Sequence, residues 1–139
     1  MKLRAAAAAV ALVLLVGAAA ASRGAAARAN DGTIRITIHY STFEPADLAV
    51  EPGETVRFVI VNTDPIDHEF ILGDDRIHRI HGKGTEASHA PRPGEVSVPA
   101  HAIAETTYTF PSASGALLFA CHLPGHFAYG MSGVVTIAG

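Results

Sequence analysis

The stretch GALLFACHLPGHFAYGMSGVVTIAG, residues 115–139, decides how the rest of the chain is read. It opens on GALLFA (115–120), a nearly continuous apolar run of the kind a central strand shows. It closes on SGVVTIAG (132–139), a second strand. Between them, CHLPGHFAYGM (121–131) holds the only cysteine, Cys121, and the only methionine besides the initiator, Met131. His122 and His126 lie inside the same eleven residues, and the spacing is C-x4-H-x4-M. A loop turned by Pro124-Gly125 can bring Cys121, His126 and Met131 to one point at the end of a sheet.

Working outward, the chain continues to read as strands and turns. TIRITIHY (33–40) alternates, with Ile34, Ile36 and Ile38 on one face. DLAVEPGETVRFVIVN (47–62) reads as strand, Pro-Gly turn, strand, with Val56, Phe58 and Ile60 sharing a face. HEFILGDD (68–75), GEVSVPA (94–100) and AETTYTFP (104–111) supply three more strands. Seven or eight short strands with turn signals between them predict an all-β fold, a Greek-key antiparallel β-sandwich. DRIHRIHGKGTEASHAPRPG (75–94) resists that pattern and is predicted to be a polar, histidine-containing insertion, with DRIHRI as one helical turn.

The first residues read differently. MKLR supplies two positive charges, and Ala5 to Ala21 then run without a charge. This is the pattern of a secretory signal, with cleavage after Ala21 or after Ala29. Residues 1–29 are therefore assigned to a signal peptide and short linker, and 30–139 to one domain, large enough for a buried core. The alternative is an uncleaved anchor, for which the run is short and rich in alanine. Beyond the leader stand six basic residues against thirteen acidic ones, a net −7 with histidine neutral. Such a surface argues against nucleic-acid binding. An exported chain with one cysteine forms no internal disulfide, so Cys121 is an inert core thiol, pairs with another chain, or does chemistry.

Thiolate, imidazole and thioether are soft or borderline donors, and together they suit copper in a His2Cys site with a weak axial Met. His68 is the best candidate for the second imidazole, because it follows the Thr63-Asp64-Pro65 turn and begins a strand. Iron–sulfur clusters usually take four cysteines, and methionine is not a common zinc ligand.

Phe43-Glu44-Pro45, the run Val50-Glu51-Pro52-Gly53-Glu54, Asn62, His68-Glu69-Phe70 and the segment from Phe119 through His126 to Gly130-Met131 and Gly133 resemble the cupredoxin family. The likeness covers nearly all of 30–139 and is nearest to bacterial periplasmic members, auracyanin-like and copper-resistance-associated. It implies that His68, Cys121 and His126 bind one copper strongly, that Met131 is the weak axial ligand, and that the protein transfers single electrons by Cu(I)/Cu(II). Many members have Asn or Ser after the first histidine, supporting the cysteine sulfur; here Glu69 stands there.

The competing readings are a thiol nucleophile with His122 as base and Met131 as core filler. Strand neighbours point to opposite faces, so Cys121 and His122 are expected to diverge. His78, His81 and His89 are either a secondary copper site or part of a solvated polar loop. Asp64, Asp67, Asp74 and Asp75 are read as acidic surface. The expectation is a periplasmic, monomeric copper protein that is not an enzyme by itself and has no stable membrane association after cleavage. Redox partners would dock on an apolar apron of Leu123, Pro124, Phe127, Ala128 and Tyr129 around His126. The alternative is copper tolerance or delivery, with the metal as cargo.

Overall fold

The computed structural model describes residues 32–84 and 88–139; the expected signal peptide and both expected cleavage positions lie outside them. Among the described residues, nine strands form two packed sheets: β1 (Thr33–His39), β2 (Thr42–Glu44), β3 (Asp47–Val50), β4 (Thr55–Asn62), β5 (His68–Gly73), β6 (Glu95–Val98), β7 (Ile103–Thr109), β8 (Gly115–Ala120) and β9 (Ser132–Ile137). One sheet has the order β2-β1-β4-β7 and the other β3-β9-β8-β5-β6. The all-β sandwich is as expected. Its sheets are mixed, however, because β1–β4 and β3–β9 pair in parallel. β2 and β3 carry the chain from the first sheet to the far edge of the second before β4 returns it. A strand re-entering after such a crossover runs in the same direction as the one it left.

The core follows from alternation. Ile34, Ile36 and Ile38 of β1 and Val56, Phe58 and Ile60 of β4 are all fully buried, while the residues between them face outward. Glu51-Pro52-Gly53-Glu54 turns β3 toward β4, with Glu54 N–H donating to Glu51 C=O and Gly53 at φ 73°. Proline presets the second residue of such a turn and glycine takes the positive φ of the third. Phe43, Phe70 and Phe119 pack edge-on or tilted at 5.3–6.0 Å, and Phe58 extends the cluster. Each fully buried side chain of this size contributes about 1.5–3 kcal/mol.

β5 breaks the alternation, because all six of its residues are buried. Phe70 and Leu72 enter the core. Glu69 and Ile71 lie on the other face, which the 75–94 excursion covers. The excursion begins with α1 (Asp75–His81), two turns where one was expected, capped by Asp74, whose Oδ1 accepts the N–H groups of Arg76 and Ile77 at 3.0 Å. The absence of a side chain on Gly73 lets Ile77 of α1 settle against β5; a Cβ there would sit 3.0 Å from the Ile77 side chain.

Candidate metal centre

β5 and β8 are antiparallel neighbours, with Ile71 opposite Ala120. The start of β5 and the end of β8 therefore meet at one end of the sandwich, which puts His68 and Cys121 side by side. The following loop returns through turns in which His126 N–H donates to Leu123 C=O and Met131 N–H to His126 C=O, both at 3.0 Å. Gly125 and Gly130 supply the positive φ values, 88° and 93°. Cys121 N–H then donates to Met131 C=O at 3.2 Å, closing the loop.

Within this frame His126 Nδ1 lies 3.2 Å from His68 Nδ1 and 3.1 Å from Cys121 Sγ. One ligand atom from each of the three residues falls within 4.8 Å of the others. His68 and Cys121 are buried, and His126 is partly exposed. Met131 is buried beside Cys121 in the same core cluster. The structure thus brings together three of the four expected ligands through their side chains and holds the fourth to Cys121 through the main chain.

Asp64 departs from its reading as acidic surface. It is buried, and its Oδ2 accepts a hydrogen bond from His68 Nε2 at 3.0 Å. A carboxylate only accepts, so the His68 proton sits on Nε2 and the lone pair on Nδ1, the atom that faces His126 and Cys121. Burial alone would raise the Asp64 pKa, but the N–H groups of Ser41 and Tyr40 and the His68 ring outweigh it and hold the carboxyl below its ordinary value. The i, i+4 spacing of Asp64 and His68 was the available signal. A surface turn and a buried one look alike in sequence. Asp67 instead accepts Ala100 N–H from an exposed position.

The cysteine sulfur accepts main-chain N–H groups from Glu69 and Leu123. The Glu69 backbone N–H thus favours the thiolate, while the charge of its side chain works against it. Burial pushes the Cys121 thiol up to about 11, despite those donors. Burial, then His68, holds His126 below the usual histidine value, so its ring is neutral near pH 7. Two imidazoles and a buried thiol, with one imidazole lone pair aimed by a carboxylate, fit a copper ion by donor chemistry.

The Cys121–His122 nucleophile pair does not form. His122 Nε2 donates to His78 Nδ1 at 2.8 Å, and His78 Nε2 to Leu118 C=O at 3.1 Å. The His122 main-chain N–H donates to Glu69 Oε1 at 2.7 Å. Burial, then His78 and His81, push His122 down to about 4. Of the insertion's histidines, His81 and His89 gather with Glu69, whereas His78 is engaged by His122 and Leu118.

The sequence profile of the family described as "Cupredoxin-like domain" matches residues 6–136. A protein named copper-resistant cuproprotein CopI from Rubrivivax gelatinosus is 41% identical over 119 residues, covering 82% of this chain and 70% of that protein. A protein of the same name from Pseudomonas aeruginosa is 30% identical over 145 residues, covering 81% of this chain and 80% of that protein. Among solved structures, the dithionite-reduced auracyanin of Roseiflexus castenholzii superimposes with a TM-score of 0.64 at 23% identity, over 78% of this chain and 98% of that one. Auracyanin A of Chloroflexus aurantiacus, described as a "blue" copper protein, gives 0.61 at 26% identity, over 76% and 98%.

Proposed function

The chain belongs to the cupredoxin-like family, and from that premise we propose that this copper-binding protein is a one-electron carrier outside the cytoplasm. The observation that carries the reading is the convergence of His68 Nδ1, Cys121 Sγ and His126 Nδ1 at one end of the sandwich. Copper bound there supplies a Cu(I)/Cu(II) couple. His68, Cys121 and His126 would hold it, with Met131 as the weak fourth donor. Asp64 orients His68, and the Glu69 and Leu123 amides stabilise the thiolate. The sandwich holds these donors with little freedom to rearrange when the charge of the site changes.

His126 is the partly exposed member of the set, and Phe127 and Tyr129 beside it are exposed, Tyr129 at 92%. An apolar face around the exposed ligand suits brief docking of a redox partner. No helix among the described residues is long and apolar enough to cross a membrane. Export of the domain to the periplasm rests on the charged and apolar leader of the sequence.

A second reading is favoured by the 41% identical relative named copper-resistant. In it the same site serves copper tolerance or delivery, and the copper ion itself is the cargo. The visible spectrum during Cu(II) titration of the 30–139 domain tests the site itself. An intense thiolate-to-copper band saturating at about one copper, bleached by reductant and absent in Cys121→Ser, is expected. Slow loss of that copper to a chelator supports the carrier, and ready transfer supports handling. Absence of the band would refute both readings of this site.

A further inference from the structure

The excursion between β5 and β6 closes a second donor cluster on the opposite face of the same sheet end. His68 and Glu69 are consecutive strand residues and point to opposite faces. His68 enters the centre described above, and Glu69 enters a group with His81 and His89. One ligand atom from each of these three lies within 4.8 Å of the others. Register places Ser97 opposite Glu69 and Glu95 opposite Ile71, so Glu69, Ser97 and Glu95 share that face. Ser97 Oγ accepts the His89 main-chain N–H at 3.1 Å, which anchors the returning loop over Glu69.

The protonation pattern of the histidines is that of a prepared site. His89 Nδ1 donates to Ala90 C=O at 2.8 Å, so Nε2 carries the lone pair. That Nε2 is buried and, among the described residues, has no hydrogen-bond partner. A buried polar atom without a partner costs roughly 1–3 kcal/mol, and native proteins rarely leave one without a reason. His81 Nε2 donates to Glu95 Oε2 at 3.0 Å, which leaves its lone pair on Nδ1. Each imidazole is tethered through one nitrogen to an oxygen acceptor, as the outer partners of metal-bound histidines do. Glu69 itself is 3% exposed. The ordinary alternative, a solvated polar loop, does not account for the orphaned nitrogen.

We propose that Glu69, His81 and His89 hold a second divalent transition-metal ion. Two imidazoles and a carboxylate offer only nitrogen and oxygen donors, and Cu(II) heads the affinity order for such sites. Glu95, 3.0 Å from His81 and 3.7 Å from Arg92, completes the outer ring. Without a thiolate this ion gives no intense visible band, so its signals separate from those of the first site. The proposal stands whether or not the first site works as an electron carrier.

Copper bound per chain, counted after gel filtration of protein loaded with Cu(II), tests it alongside the electron paramagnetic resonance spectrum. Wild type is expected to retain two coppers, one of them with nitrogen hyperfine structure and no visible band. His81→Ala/His89→Ala is expected to retain one, with the thiolate band intact, which also shows that the variant is folded. Glu69→Gln keeps an acceptor for the His122 amide and removes the charge; its second copper is expected to bind at least tenfold more weakly. One copper in a wild type that shows the full band overturns the proposal. So does a second copper held equally well by the double variant. Loss of the band with the second copper still present would count against the first site alone.

Discussion

The Asp64 carboxylate and the His68 ring meet at 3.0 Å, and that contact determines which nitrogen of His68 faces Cys121 and His126. The same carboxylate accepts the N–H groups of Tyr40 and Ser41 at 2.8 Å, two residues held at φ 50° and 54°. A single buried acid therefore aims a candidate metal ligand and secures a left-handed turn.

Asp64→Ala should accordingly show two effects. Removing an outer partner of a ligating histidine weakens metal binding about 10- to 100-fold. Losing the carboxylate's hydrogen bonds to the part-buried Tyr40 and Ser41 amides costs about 1–3 kcal/mol. Competitive copper titration and urea melts of the metal-free protein read the two separately. Unchanged affinity would mean that the His68 ring is held by packing alone.

Cys121 is a thiol at neutral pH, since burial lifts its pKa to about 11. A thiolate ligand must lose that proton, so copper uptake at pH 7 should release it. Apparent affinity should rise about tenfold per pH unit over the range where only this proton is displaced. Calorimetry in buffers of different ionisation enthalpy counts the proton. In Cys121→Ser the count should fall by one.

His122 protonates in the unfolded chain near the ordinary 6.5 but only at about 4 when folded. Between those values the unfolded state binds more protons. The stabilisation tied to a neutral His122 is complete above pH 6.5 and is lost progressively as pH falls toward 4. Asp64, with its lowered pKa, stabilises the fold above the ordinary carboxyl value of 3.8, and that contribution is lost only as pH falls further below it. The melting temperature of the metal-free protein should thus begin to fall below about pH 6.5, and less steeply in His122→Gln. A flat profile from pH 7 to 4 would show that the ring protonates without strain.

Met131→Leu preserves volume but removes the thioether. The thiolate band should persist with a changed hue, because Cys121 and both histidines remain. The reduction potential should rise, since the lost donor favours Cu(II). Redox titration followed in the visible measures the shift. An unaltered potential and spectrum would reduce Met131 to a core residue.

Gly133 marks a tight approach in β9. A Cβ there would collide with the Phe119 ring and with the Ala46 carbonyl oxygen. One is a fully buried core side chain and the other is main chain, so neither yields cheaply. Gly133→Ala should destabilise the fold by about 1–3 kcal/mol, read from denaturant midpoints. Little change would mean that β9 can shift away from β3.

Much of this molecule was legible in the linear order of residues. Period-two alternation in TIRITIH and TVRFVIVN places six fully buried side chains on the correct faces. The only cysteine, followed at fixed spacings by His126 and Met131, marks the loop that closes at the end of the sheet. Those signals are local, because a strand's side-chain period and a turn's glycine are set by neighbouring residues. The short β2 was not visible, since three residues carry too little pattern. The parallel pairings of β1 with β4 and β3 with β9 depend on how crossovers return the chain.

What sequence by itself determined is every strand but β2, the sandwich class and the candidate ligands. Tertiary structure alone decided which polar residues are buried. Asp64 and Glu69 look like any surface acids in the chain. One becomes the partner of His68, and the other the link between the His122 amide and the His81–His89 pair. The reason is physical. Burial of a carboxylate is tolerated only where donors from distant segments converge on it. In this fold those donors come from Tyr40, Ser41, His68 and His122, up to 53 residues away in sequence.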